Sequence, residues 1–253
     1  MFIRLAIKSL LDRKGSVLVS LLAMSVSIFV LLGVEHIRHQ TKENFSNTVS
    51  GVDLIVGART GSVNLLLYSV FRVGNPTNNI RWESYEKITS SRKVDWAIPI
   101  SLGDSHKGYR VLGTSTDYFQ HFSYGKKQLL EFEDGRPFKD LFDVVLGAEV
   151  ARKLNYRLGD RLVLAHGVAA TSFSLHEDRP FEVVGILRPT GTPVDQTLHV
   201  SLAGIEAIHI DWQNGVRIPN SSAPIENFEV IDLQPESITA FMLGLKEKMG
   251  TFR

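Results

Sequence analysis

An α+β fold carried on one N-terminal membrane helix is what this sequence predicts, and three observations predict it. Residues 15–34 (GSVLVSLLAMSVSIFVLLGV) run for twenty positions without a charge. Residues 53–112 read as strand, helix, helix, strand, strand. Residues 135–202 hold short apolar strands separated by glycine- and proline-bearing turns, with short helices among them. Helices grouped against strands, rather than a strict βαβ alternation, point to a helix-covered sheet of the α+β class.

The uncharged run comes first. As an α-helix it reaches about 30 Å, the thickness of a bilayer's hydrocarbon core. Its leucines, valines, isoleucines and phenylalanine surround the axis, so the helix needs an apolar environment on all sides. It is longer than the apolar region of a secretory signal, and no small-residue cleavage pattern ends it. Arg4, Lys8, Arg13 and Lys14 precede it, against a single Asp12. The positive-inside bias then places the N-terminus in the cytoplasm and everything after Val34 outside, in the periplasm of a Gram-negative cell.

Charge and composition narrow the function classes. The chain has 253 residues and net charge +1; residues 1–34 carry +3 and the remaining 219 carry −2. An outer part this close to neutral lacks the basic excess of a nucleic-acid binder. The absence of cysteine excludes a disulfide framework, a thiol nucleophile and a thiolate-held metal. An outer part of this length can bury a substantial core without such staples.

Taken in order, residues 1–14 place Ile3, Ile7, Leu10 and Leu11 at helical spacing, with Arg4, Lys8 and Asp12 on another face. This reads as a cytoplasmic interfacial amphipathic helix, or else as a disordered tail. Residues 35–49 are polar and compatible with a helical stalk continuing the membrane helix. His36, His39 and Glu43 share a face there, and a solvated surface is the better reading than a metal site. Residues 53–58 form a short strand. Arg59-Thr60-Gly61-Ser62 is a glycine turn, since no Walker A loop occurs anywhere in the chain. Residues 64–73 and 81–92 read as helices, and 94–100 pairs with 109–112 across a polar hairpin loop at 103–108.

Beyond these, Gly135-Arg136-Pro137-Phe138 is a turn, 144–146 a buried strand, 148–154 a short helix and 161–165 a strand. Residues 166–180 form a Gly/Ala/Ser-rich connection. In the strand 181–187, Phe181, Val183 and Gly185 lie on one face and Val184 and Ile186 on the other. Strand 198–202, helix 201–210, a linker at 214–223, strand 228–233 and helix 237–248 complete the chain.

Gly135-Arg136-Pro137-Phe138, the run VVLGAEVARKLNYRLGDRLVL (144–164) and the run FEVVGILRPTGTPVDQTLHVSL (181–202) resemble the extracytoplasmic core domain of MacB-type ABC transporter permeases. Relatives include the lipoprotein-releasing LolC and LolE proteins and, more distantly, FtsX. The resemblance takes in the basic N-terminus, the membrane helix and the 53–58 segment as well. It implies a periplasmic domain of two parts: a porter-like part at 50–115 and 225–250, and an inserted β-rich subdomain at 117–220. It implies four membrane helices in the whole permease, a second permease subunit (identical or not), contact with membrane lipid, and a cytoplasmic ABC ATPase that drives the motion. Only one span is present here, so the expectation is an N-terminal piece of such a permease in the cell inner membrane.

None of these motifs is catalytic, and the sequence names no catalytic residue, no cofactor and no metal ligand. The transport reading competes with a single-span periplasmic scaffold or sensor, and with a membrane-anchored enzyme. The enzyme reading has two seeds, His176-Glu177-Asp178 and Ser90-Ser91-Arg92-Lys93. The first is not H-E-x-x-H, and the second lacks the partner motifs of an S-x-x-K hydrolase.

Overall fold

The computed structural model describes residues 12–167, 179–210, 212–213, 216–217 and 233–247, with the backbone alone at 41–47, 212–213 and 216–217. The chain forms two compact units, residues 1–46 and 47–253.

Helix α1 (Lys14–Thr48) has 35 residues. Its Lys14–Gln40 portion is long and apolar enough to cross a bilayer. Leu18, Phe29 and Leu31 are 65%, 78% and 70% exposed, so the apolar surface faces outward all round. That is stable only in an apolar solvent. Ser27 donates its hydroxyl to the Ala23 carbonyl at 2.9 Å, which satisfies the group inside the helix as hydrocarbon requires. The amphipathic segment expected at 1–14 lies outside the described residues except for its last three.

The second unit is built on one ten-stranded mixed sheet. Its strands are β1 (Leu54–Gly57), β2 (Val94–His106), β3 (Tyr109–Thr114), β4 (Phe132–Gly135), β5 (Asp143–Leu146), β6 (Arg161–Leu162), β7 (Ala165–His166), β8 (Phe181–Leu187), β9 (Thr197–Ser201) and β10 (Ala240–Leu245). The order is β1-β10-β2-β3-β9-β5-β8-β4, with β7 also on β2 and β6 also on β8. The β9–β3 and β8–β5 pairs are parallel. The long strand β2 joins the two ends: residues 94–100 pair with β10, and residues 101–106 pair with β3. Helices α2 (Ser62–Ser69), α3 (Trp82–Thr89), α4 (Asp117–His121), α5 (Ala148–Leu154) and α6 (Leu202–His209) cover the sheet.

Strand alternation divides the core. Ile98, Ile100, Leu112, Val145, Ala240 and Met242 join Tyr68 of α2 and Tyr118 and Phe119 of α4 in one cluster. Their sequence neighbours Val111, Val144 and Leu146 turn the other way, against Val150 of α5 and Ile205 and Ile208 of α6. Phe241 and Leu243 likewise leave Met242 behind and pack near Trp82 and Tyr85 of α3. The fold is α+β, as the sequence predicts.

Several local expectations need correction. Where a helix is expected at 237–248, the described residues 237–247 are not helical: residues 237–238 and 240–245 are strands. The run AFMLGL is buried almost throughout, and apolar positions at i, i+3, i+4 and i+7 arise in any continuously apolar segment. The polar stretch 103–108 is not a loop. Strand β2 runs through His106, and the turn is only Lys107-Gly108, with φ 47 and 86. Two positive φ values give the primed turn that matches strand twist. The register of β2 on β3 shifts between Leu102 and Ser105, which buries Asp104, Ser105 and His106 in succession.

In place of one strand at 161–165 there are two short ones, β6 and β7, with Leu164 fully buried near them. In β8 the register shifts between Val183 and Gly185. Ile186 thereby packs on the cluster of Phe181 and Val183, whereas strict alternation sends it to the opposite face. Helix α2 stops at Ser69, short of the expected Val73; Ser69 bonds back to the Leu65 carbonyl at 2.5 Å, and Arg72 takes φ 60. The strand expected at 228–233 and the linker at 214–223 fall almost wholly outside the described residues.

Candidate functional site

The residues singled out as chemical seeds do not form a site among the described residues. Ser90 donates to the Lys87 carbonyl at 3.1 Å and Ser91 accepts from the Lys93 amide at 3.4 Å, so both finish α3. Gly61 is the N-cap of α2, consistent with a turn. His36 and His39 are exposed on α1, while the Glu43 side chain and the 176–178 segment lie outside the described residues.

The structure instead assembles a cluster that sequence spacing does not reveal. Asp104 lies in the irregular stretch of β2, and its register partner on β7 is His166. His209 is the last residue of α6. Nδ1 of His166 stands 3.2 Å from Oδ1 of Asp104, Nε2 of His209 stands 3.4 Å from the same oxygen, and the two nitrogens are 3.0 Å apart. The imidazole planes meet at 84° with centroids 4.8 Å apart. Asp104 is 2% exposed, and its Oδ1 accepts no hydrogen bond of regular geometry. His209 and His166 rise toward solvent, at 23% and 42%.

The electrostatics follow from this geometry. Burial pushes the Asp104 carboxyl up, but the two histidines outweigh it and hold the group down at about 2. The Asp104 carboxylate beside it raises His166 against the opposing effect of burial. Glu206, one turn before His209 on α6, is raised by burial and by the negative charges of Glu236 and Asp104, against the lowering effect of His209. Three ligand-type atoms converging on one point can share a proton or hold a cation. The three residues are separated by 62 and 43 positions in the chain, and Asp104 sits in what reads as a loop. The polar run Asp104-Ser105-His106 inside an otherwise apolar hairpin was the one available signal.

Three other polar groups are structural. Buried Asp143 accepts through Oδ2 from Arg136 at 2.8 Å and from the Lys139 and Asp140 amides at 2.9 and 3.0 Å, fixing the turn before β5. Asp195 accepts from the Thr190 amide and hydroxyl, both at 2.8 Å, and from the Gly191 amide at 2.8 Å. It ties the TGTPVD run into a fixed loop. His199 is fully buried, stands 3.3 Å from the Val145 carbonyl through Nδ1, and lies 5.1 Å from the Tyr118 ring.

One comparison with known proteins, that with family models, shows a family. The model of the MacB-like periplasmic core domain matches residues 16–230. No curated protein sequence matches the chain significantly. Two solved structures are similar at low identity. The periplasmic region of MacB from Actinobacillus actinomycetemcomitans is 12% identical, with 81% of this chain and 78% of that one covered and a TM-score of 0.43. The extracellular domain of the noncanonic ABC-type transporter YknZ from Gram-positive bacteria is 14% identical, with 67% and 74% covered and a TM-score of 0.37.

Proposed function

The chain belongs to the family of MacB-like periplasmic core domains, and on that footing we propose that it serves as a permease subunit of a MacB-type ABC transporter. One observation carries the reading: the family match begins inside the apolar helix α1 and runs through most of the outer unit. Membrane helix and outer domain thus belong to a single family pattern. The chain sits in the inner membrane with its N-terminus in the cytoplasm and its sheet-rich unit in the periplasm. A separate cytoplasmic ABC ATPase supplies the energy, and a second permease subunit, identical or not, completes the membrane assembly among the lipids. The subunit performs no chemistry; ATP-driven movement of membrane helices is converted into movement of the outer domain, for export or extraction of a substrate.

Within the outer unit, residues 50–115 with 225–250 form the porter-like part and residues 117–220 the inserted part. The sheet supports this division: β1, β10 and the first half of β2 adjoin at one end, and β9, β5, β8 and β4 at the other.

Purification from its own membrane in mild detergent tests the proposal. The chain should bring down an ABC ATPase together with a second permease subunit, and the associated ATP hydrolysis should survive Ser90→Ala and His36→Ala. Recovery with envelope proteins of which none hydrolyses ATP would replace the transporter with a scaffold. A hydrolase activity of the chain alone, lost on Ser90→Ala or His176→Ala, would replace it with an enzyme.

A further inference from the structure

We propose that Asp104, His166 and His209 form a binding site for a divalent transition-metal ion of the zinc type, which clamps β2, β7 and the C-terminal end of α6 together. The inference stands on this cluster alone and is independent of the transport reading.

The distances carry it first. Zinc holds nitrogen and carboxylate oxygen at about 2.0–2.2 Å, so two ligand atoms on a tetrahedral ion are about 3.3 Å apart. The three atoms here are separated by 3.0, 3.2 and 3.4 Å, close to the triangular face of such a tetrahedron. The near-perpendicular imidazoles allow both nitrogen lone pairs to converge without the rings colliding. The buried oxygen is the second observation. Oδ1 of Asp104 has less than 1 Å² of exposed surface and no hydrogen bond of regular geometry. A buried acceptor left in that state costs about 1–3 kcal/mol, and more when charged. A cation between the carboxylate and the two rings removes that cost.

The donor set selects the metal. Two imidazoles and one carboxylate suit zinc and its first-row neighbours; calcium and magnesium prefer oxygen alone. Three protein ligands leave a fourth position on the side where His166 meets solvent. The ligands also explain what the ion would do. They come from three separated segments, and β7 is only two residues long, too short to be held firmly by its own ladder. A cation fixed to Asp104 anchors that short strand and α6 to the longest strand of the sheet.

The test uses the full chain in detergent, with any affinity tag removed and metal stripped by chelator. Zinc chloride is titrated by calorimetry, and cobalt chloride by visible absorption. One equivalent of Zn²⁺ should bind saturably, and Co²⁺ should give the intense visible bands of a four-coordinate site. His166→Gln and His209→Gln should each weaken Zn²⁺ binding by about 100-fold or more, beyond the loss seen when only a supporting residue is changed. His36→Ala, on α1, should leave it unchanged. His166 is partly exposed, so the metal-free His166→Gln chain should keep the circular dichroism of the parent, and only the parent should be stabilised by added Zn²⁺. Absence of saturable binding in the parent would overturn the site. So would unchanged affinity in His166→Gln or His209→Gln.

Discussion

Gly147 ends β5 where a Cβ would fall far inside van der Waals contact of the Val194 and Asp195 carbonyl oxygens. Those atoms belong to the loop that Asp195 locks by its bonds to Thr190 and Gly191, so they cannot swing aside. Gly147→Ala should therefore cost about 1–3 kcal/mol, the usual range for overpacking. Gly103→Ala, with nothing within 4 Å of its Cβ, should stay within about 0.5 kcal/mol. Denaturant midpoints of the two variants check the contrast. His199 gives a second prediction. Burial, with a smaller push from Arg72, lowers its imidazole to about 3 against the bond to Val145. The unfolded chain binds this proton below about pH 6.5 while the folded chain refuses it down to about 3, so stability falls as pH falls through that window. The slope is up to about 1.4 kcal/mol per pH unit. The stability gap between the parent and His199→Gln should narrow by about 2–3 kcal/mol between pH 7 and 4.5, and parallel stability curves would refute the buried neutral imidazole. Neither residue advertises itself in the sequence. Gly147 follows the expected strand 144–146 and His199 lies inside the expected strand 198–202; their roles come from atoms 47 and 54 positions away.

Short apolar runs bounded by glycine or serine were legible, and a longer apolar run without such bounds was not. Strand β5, helix α5, strand β9 and helix α6 follow directly from short apolar runs closed by glycine or opened by serine, as at Ser201, which accepts from the Gly204 amide at 2.9 Å. Strand β10 failed because its run is apolar on every residue, and a strand buried on both faces shows no alternation. One substitution separates the two readings by sign. In an exposed helix Gly244→Ala would stabilise by about 1 kcal/mol. In β10 the new Cβ meets the Trp96 ring, which is itself stacked on His121 at 5.2 Å and 7°. Gly244→Ala is thus expected to destabilise by about 1–3 kcal/mol in thermal or urea unfolding. A gain in stability would restore the helix. The cluster of Asp104, His166 and His209 failed to show for a related reason: a register shift in β2 turns a polar hairpin tip into buried strand, and no periodicity encodes a shift.

At the scale of the whole chain, the strongest sequence signal and the family match overlap at α1, and orientation is what they leave to be measured. Electrostatics favours an inward N-terminus. Arg4, Lys8, Arg13 and Lys14 precede the apolar run against Asp12 alone, whereas the segment just beyond it mixes Glu35 and Glu43 with Arg38 and Lys42. Basic residues are held on the cytoplasmic side during insertion, so the four-to-one excess predicts the direction. The chain offers a clean way to test this, because it contains no cysteine. Arg13→Cys places a thiol at the basic end of α1, and Glu83→Cys places one at an exposed position of α3 in the second unit. Both positions are exposed, so reactivity should report the membrane side rather than burial. In intact spheroplasts a membrane-impermeant maleimide should label Glu83→Cys and leave Arg13→Cys unlabelled until the membrane is opened. The reverse pattern would put the sheet in the cytoplasm and remove the basis for a periplasmic role. Labelling of both before lysis would mean that α1 does not span the membrane, and the permease reading would fall with it.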